Sequence, residues 1–151
     1  MKKEIVYKVE NNKTIIPQAD KLESLYNILV AIEIRPLFYH DIADDIEDLK
    51  DKRQWDYYAS SLYFLGVANK WIYNKHKFIF INELGSDILK SSDSKRSFIN
   101  LAKKKLVEYD LFNLDENYLA DKLENKYKLS GETISRRIQT IKAWIKIINE
   151  I

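Results

Sequence analysis

The chain contains no cysteine, which excludes disulfides, thiolate zinc sites and cysteine nucleophiles. Glycine (3) and proline (2) are scarce among its 151 residues, so a collagen-like, disordered or loop-rich fold is excluded. It has only two histidines, His40 and His76, with no His/Asp/Glu ligand spacing around either. A satisfied or exposed imidazole accounts for each, and no metal or cofactor is expected. No glycine-rich phosphate loop is present. No apolar run approaches the roughly 18 residues a membrane-spanning helix needs, and the first residues lack a signal-peptide pattern. These absences predict a soluble cytoplasmic protein, with the lack of cysteine fitting a reducing compartment.

A large excess of charge of one sign is also missing. There are 25 basic and 23 acidic residues, for a net charge of +2. Their distribution says more. Residues 1–50 hold seven basic and ten acidic residues, 51–100 eight and five, and 101–151 ten and eight. Any polyanion is therefore expected on the latter two-thirds. An apolar fraction of 46% is enough for a core in one compact domain or two small ones.

Residues 4–9 alternate Ile5, Tyr7 and Val9, a short strand, followed by the Asn11-Asn12 turn signal. A helical stripe then runs through Leu22, Leu25, Tyr26, Leu29, Val30 and Ile32, with Asp20 as N-cap and Glu23 completing a weak capping box. Pro36 ends it. A short helix is expected at 40–49, with Ile42, Ala43, Ile46 and Leu49 inward. Asp41, Asp44, Asp45, Glu47 and Asp48 crowd its other face. The next helix, 52–65, closes at Gly66 and turns Asp56, Tyr57, Ser60 and Tyr63 outward. Two β-rich runs, 71–73 and 78–81, flank the basic turn Asn74-Lys75-His76-Lys77 and read as a hairpin. Asn82 caps a helix at 83–90. After the linker-like Ser91-Ser92-Asp93-Ser94, helices are expected at 94–109, 115–126 and 131–149.

The order helix, short strand, helix, helix, hairpin is that of a winged helix. Helix, helix, turn, helix in the second half reads as another helix-turn-helix. The expected fold is mainly α with a small β-hairpin wing, a tandem winged-helix or helix-turn-helix arrangement. Residues 1–91 form the first winged-helix domain with an N-terminal strand arm, and 92–151 the second. Trp71 and Trp144 are expected in the core. One lysine of Lys103-Lys104-Lys105 is expected to lie along apolar surface.

The last helix is the most informative segment. With about 100° per residue, Ile138, Ile141 and Ile145 fall within about 40° of Ile134. Arg136 then points nearly opposite the core and Arg137 lies at the stripe's edge. Thr133 and Thr140 share a flank beside Glu132 and Gln139, and Ser130 can cap the helix. Hydroxyls and helix N-terminal amides bond phosphate, and arginine can bond guanine bidentately, so this is the composition of a recognition helix. A solvated basic face has the same composition. Helix 52–65 offers Arg53, Gln54 and Tyr57 as a second base-reading surface. Packing of its aromatics, with Arg53 paired to the acidic helix, explains it as well. Lys75 and Lys77 at the wing tip are placed to touch backbone phosphate, or simply solvent. Asp115 with Glu124-Asn125-Lys126 has the spacing of a metal-dependent nuclease, but such carboxylates converge on strands and these fall on a helix.

Two stretches carry a resemblance. Arg53-Gln54-Trp55-Asp56-Tyr57-Tyr58-Ala59-Ser60-Ser61-Leu62-Tyr63-Phe64-Leu65-Gly66 is similar to an R-Q-x-D-Y-Y-x-x-A-L-x-Y-L-G pattern. Residues 129–145, from Leu129-Ser130 through Thr133-Ile134-Ser135-Arg136-Arg137 to Trp144-Ile145, resemble L-S-x-S-T-I-x-R-R-x-x-T-I-x-x-W-I. Both occur, in this order, in winged-helix DNA-recognition regions attached to type II restriction endonucleases, and the second is the more specific. The likeness spans roughly residues 20–150. It implies that Arg53, Gln54, Thr133, Arg136 and Arg137 lie near DNA, and that a separate domain or subunit does any cutting. Ser61 stands where the pattern has alanine. The function expected is therefore a non-catalytic double-stranded DNA-binding protein or specificity module for restriction–modification, with a nuclease subunit or a second copy as possible protein partner. The alternatives are a winged-helix protein-interaction or dimerisation module and a transcriptional regulator.

Overall fold

The computed structural model describes residues 4–6, 16–45 and 52–151, and the side chains among them except those of 4–6, 43–45, 52 and 53. Among the described residues the chain is mainly α-helical with a small antiparallel sheet. Strand β1 (Glu4–Val6) is followed by α1 (Leu22–Ile34), β2 (Leu37–Phe38) and a 3₁₀ helix (Tyr39–Asp45). Then come α2 (Lys52–Leu65), β3 (Ala68–Tyr73), β4 (His76–Ile81), α3 (Glu83–Lys90), α4 (Ser94–Glu108), α5 (Glu116–Asn125) and α6 (Glu132–Asn149).

Local chemistry explains most boundaries. Helix α1 buries Leu22, Leu25, Ile28, Leu29 and Ile32 and stops at an extended Arg35, the residue before Pro36. Helix α2 ends at Gly66, whose φ of 77° lies in the left-handed region. The side chains of Asn82, Asp93 and Asp115 accept amide hydrogens in the first turns of α3, α4 and α5. Asp115, a carboxylate of the nuclease-like spacing, is thereby engaged as a cap by Asn117 and Tyr118.

Four expectations are corrected. Asp20 does not cap α1: the cap position is Lys21, with no side-chain bond. The helix at 40–49 is a 3₁₀ helix over 39–45; Ile46, Glu47, Asp48 and Leu49 lie outside the described residues. The wing turn is Asn74-Lys75 alone, both with positive φ (49° and 67°), because His76 and Lys77 already pair with Tyr73 and Ile72. Trp71 is half-buried rather than central. The rest of the 4–9 strand and the Asn11-Asn12 turn fall outside the described residues.

The sheet order is β1-β3-β4-β2. Ala68 and fully buried Ile79 face the helices. Directly paired Trp71 and Phe78, with Phe38 opposite Phe78, lie on the other face; ring centroids are 5.2 Å apart in both contacts. The sheet thus turns an apolar side inward and an aromatic side outward.

Buried residues from either side of residue 91 join in one core. The Tyr26 ring meets Phe98 at 5.7 Å, and Phe64 of α2 meets Trp144 of α6 at 5.9 Å. Trp144 is fully buried, as expected. Lys105 is the lysine of its run that lies along the surface, its ammonium 3.5 Å from Glu108 and its side chain 24% exposed.

Candidate functional site

The segment before α1 joins α2 to α6. The Ser61 hydroxyl, fully buried on α2, accepts hydrogen bonds from the amides of Gln18 (3.1 Å) and Ala19 (3.0 Å). The Ala19 carbonyl accepts from Trp144 Nε1 of α6 at 2.8 Å. The Asp20 carboxylate accepts from Thr140 Oγ1 at 2.5 Å and from Gln139 Nε2 at 3.4 Å. Contacts therefore recur up both helices: Phe64 with Trp144, and, nearer the N-termini, Ser61 through 18–20 to Thr140. Read in register, these place the first turns of α2 and α6 at one end of the molecule.

The wing strand β4 also reaches the first turns of α2. Lys77 Nζ lies 3.7 Å from Asp56 Oδ1 and 5.9 Å from the Tyr39 ring centroid. Lys75, at the turn, is exposed.

Each expected site residue now has a position. Arg136 is exposed and, among the described residues, its guanidinium donates only to Thr133 Oγ1, at 3.4 Å, so it projects to solvent as the helical wheel required. Thr133 is half-buried beside it. Arg137 is half-buried, and its Nε is sequestered with no hydrogen-bond partner. Burial, then the neighbouring Arg136, lowers the Arg137 pKa from the ordinary arginine range, with Tyr57 opposing. It still carries its charge at neutral pH. Gln54 and Tyr57 are half-buried on the first turns of α2. Arg53 is the second residue of the same helix, and its side chain lies outside the described residues.

Three assignments do not survive. Thr140 is 2% exposed and bonded to Asp20, so it belongs to the core; its place on the helix flank is covered by the 16–20 segment. Ser130 is not a cap. The cap position is Gly131, whose φ of 59° and ψ of −136° suit glycine, and no side chain serves the first α6 amides. Tyr63, expected outward, is half-buried, its hydroxyl hydrogen-bonded to that of Tyr39.

Sequence reading missed Asp20 and Ser61 as the residues that set α2 against α6. Single-chain periodicity carries no signal for contacts 42 or 120 residues apart. Among the described residues no group of histidines and carboxylates could hold a metal ion. Nor is any helix among them long and apolar enough to cross a membrane.

No curated protein and no solved structure matches the chain. A family model described as a domain of unknown function (DUF7226) matches residues 24–151, nearly the whole length, and the chain belongs to that family.

Proposed function

We propose that this chain is a non-catalytic double-stranded DNA-binding protein of the cytoplasm, reading the major groove with the first turns of α6 and α2 while the wing approaches the backbone. The observation that carries the reading is the convergence at one end of Arg136, projecting to solvent, half-buried Arg137, whose Nε has no hydrogen-bond partner among the described residues, and the exposed wing residue Lys75. Arginine at an open helix start suits base edges, and uncapped helical amides suit phosphate. The resemblance to restriction-endonuclease recognition regions points the same way and makes a nuclease subunit, or a second copy, the natural partner. The residues retained for the interface are Arg53, Gln54, Tyr57, Lys75, Lys77, Thr133, Arg136 and Arg137.

The test is a binding titration against random duplex at several salt concentrations. Affinity should fall with salt, with a log–log slope of about −0.9 per phosphate neutralised. The low net charge predicts a shallow slope. No binding to any duplex, or a flat salt response, rejects the reading.

A second reading, a docking or dimerisation module, draws on the aromatic outer face of the sheet around Phe38, Trp71 and Phe78. Sedimentation of wild type and Phe78→Ser distinguishes it: a concentration-dependent dimer lost in the variant favours docking.

A further inference from the structure

The sheet gathers its rings on one side. Strand alternation and the pairing of β3 with β4 put Trp71, Tyr73, His76, Phe78 and Phe80 on the face turned away from buried Ile79, and Phe38 of β2 joins them opposite Phe78. The rings make a continuous row. Between centroids, Tyr73 lies 6.2 Å from Trp71, Trp71 lies 5.2 Å from Phe78, and Phe38 lies 5.2 Å from both Phe78 and His76. The first three pairs are tilted by 37–49° and the last is perpendicular, so none of them closes as a parallel stack. His76 is exposed and the other five are half-buried, so part of each residue remains at solvent. A contiguous row of this kind marks a binding surface, which singly scattered apolar residues do not.

The charge around the row narrows what it takes. Segments 35–40 and 67–82, which contain β2, β3, β4 and the hairpin turn, hold Arg35, Lys70, Lys75 and Lys77, both histidines and no carboxylate, where the chain's average composition would give about three. Lys70 and Lys77 turn to the helix side, over the rings of Tyr63 (6.0 Å) and Tyr39 (5.9 Å). Arg35, ahead of β2, and Lys75, at the turn, are exposed at opposite ends of the paired strands. A second copy of this face would set these cations against their like, whereas a polyanion carrying unpaired rings meets both features. We propose that the outer face of the sheet binds single-stranded nucleic acid, with bases stacked on Phe38, Tyr73, His76 and Phe78 and the backbone running between Arg35 and Lys75. A duplex keeps its base faces inside its own stack, so only an unpaired strand can lay them on protein rings. Stacking and charge are blind to the sugar, so DNA and RNA strands bind alike. The rings invoked are ones that the duplex reading does not use.

The experiment is fluorescence anisotropy on the full chain with labelled oligo(dT) and oligo(U) of about 15 nucleotides. The two should bind within about threefold of each other, and more weakly as salt rises. Phe38→Ala and Tyr73→Ala should each weaken binding about tenfold, and Phe38→Tyr, which keeps a ring, should restore it. Thermal melts establish that the variants are folded. A second measurement needs no truncated ring: tryptophan emission should be quenched by either strand in wild type and much less in Trp71→Phe, since Trp144 is fully buried. No binding of either strand, a preference above about tenfold for one sugar, or unchanged affinity in folded Phe38→Ala and Tyr73→Ala overturns the proposal. A concentration-dependent dimer that Phe38→Ala abolishes, in a protein that binds no single strand, assigns the face to a second copy instead. Duplex binding without single-strand binding removes this inference and leaves the duplex reading standing, and the reverse pattern removes the duplex reading alone.

Discussion

Replacing Ser61 by alanine tests the junction on which the site geometry depends. The hydroxyl accepts two amide hydrogens, from Gln18 and Ala19, and donates to the Tyr57 carbonyl at 2.9 Å. Ala19 is 3% exposed, so its amide would have no acceptor and no water, a loss of about 1–3 kcal/mol. Gln18 is half-buried, and water can replace most of its bond, leaving about 0.5–1 kcal/mol. Alanine's better helix propensity returns about 0.5 kcal/mol. The net expectation is a destabilisation of about 2–3 kcal/mol, or about 5–10 °C in Tm for a chain of this size. Urea unfolding with an unchanged m-value measures it, and Ser60→Ala, one residue away and without a side-chain bond, is the control at within about 0.5 kcal/mol of wild type. If the two variants are equally stable, the 16–20 segment is not held by Ser61 and the alignment of α2 with α6 has another cause. The small difference between serine here and alanine in the resembling pattern is then structurally neutral.

Other perturbations follow from single contacts. A Cβ at Gly85 would stand 2.4 Å from the Val67 carbonyl oxygen, which the Asn82 amide holds at 3.1 Å, and 2.7 Å from Cγ1 of Ile81 on β4. Gly85→Ala should therefore cost about 3 kcal/mol or more in urea unfolding, and a loss under 1 kcal/mol contradicts the packing of α3 on the hairpin. Asp110 accepts from Lys122 at 2.8 Å and from Tyr118 at 2.5 Å, and the Lys122 hydrogen bond leads in holding its carboxyl below the usual range. Because the folded-state pKa is the lower one, this contribution is present above the ordinary aspartate pKa and lost as pH falls through the folded value. Asp110→Asn, which suits the positive φ of 58°, should lower Tm at pH 7 and converge with wild type in strong acid; a constant gap across that range refutes the assignment. Asn82→Ala removes the acceptor of the Gly85 amide and the donor to the Gly66 carbonyl, and should lower stability by about 1–2 kcal/mol by the same assay.

Much of this architecture is legible from local pattern. Helix α6 is a repeat of isoleucines at four- and three-residue spacing, and the structure buries Ile138, Ile141, Ile145 and Ile148 accordingly. Asn82 and Gly66 punctuate the chain where their chemistry requires. The failures have definite causes. Apolar residues three apart share a face at 3.0 and at 3.6 residues per turn, and seven residues hold too few turns to separate the two periods, so the 3₁₀ helix reads as α. In β3 and β4 alternation defines two faces, but both carry large apolar residues, and nothing in the run says whether Trp71 or Ile72 points inward. Asp20 has the position and chemistry of a cap, yet a buried hydroxyl and an amide on α6 compete for its oxygens and win. The outward position of Arg136 and the half-buried one of Arg137 are legible from their own helix, and the burial of Thr140 is not, because the segment that covers it lies far away in sequence.

That contrast bears on how the proposed interface is held. The orientation of α6 relative to α2 does not depend on direct packing alone. It runs through Ser61, the Ala19 backbone, the Asp20 carboxylate, Thr140 and Trp144, a chain of hydrogen bonds whose middle link belongs to neither helix. These bonds are buried or nearly so, where an unsatisfied partner is expensive, so the junction has one low-energy setting rather than a range. The first turns beyond it have the opposite character: α6 has no side-chain cap, Arg136 is loosely held and Arg137 Nε has no hydrogen-bond partner among the described residues. A rigid, fully satisfied junction immediately below an unsatisfied, positively charged tip is the arrangement expected of a binding surface, in which the scaffold fixes where the donors stand and the ligand supplies what they lack.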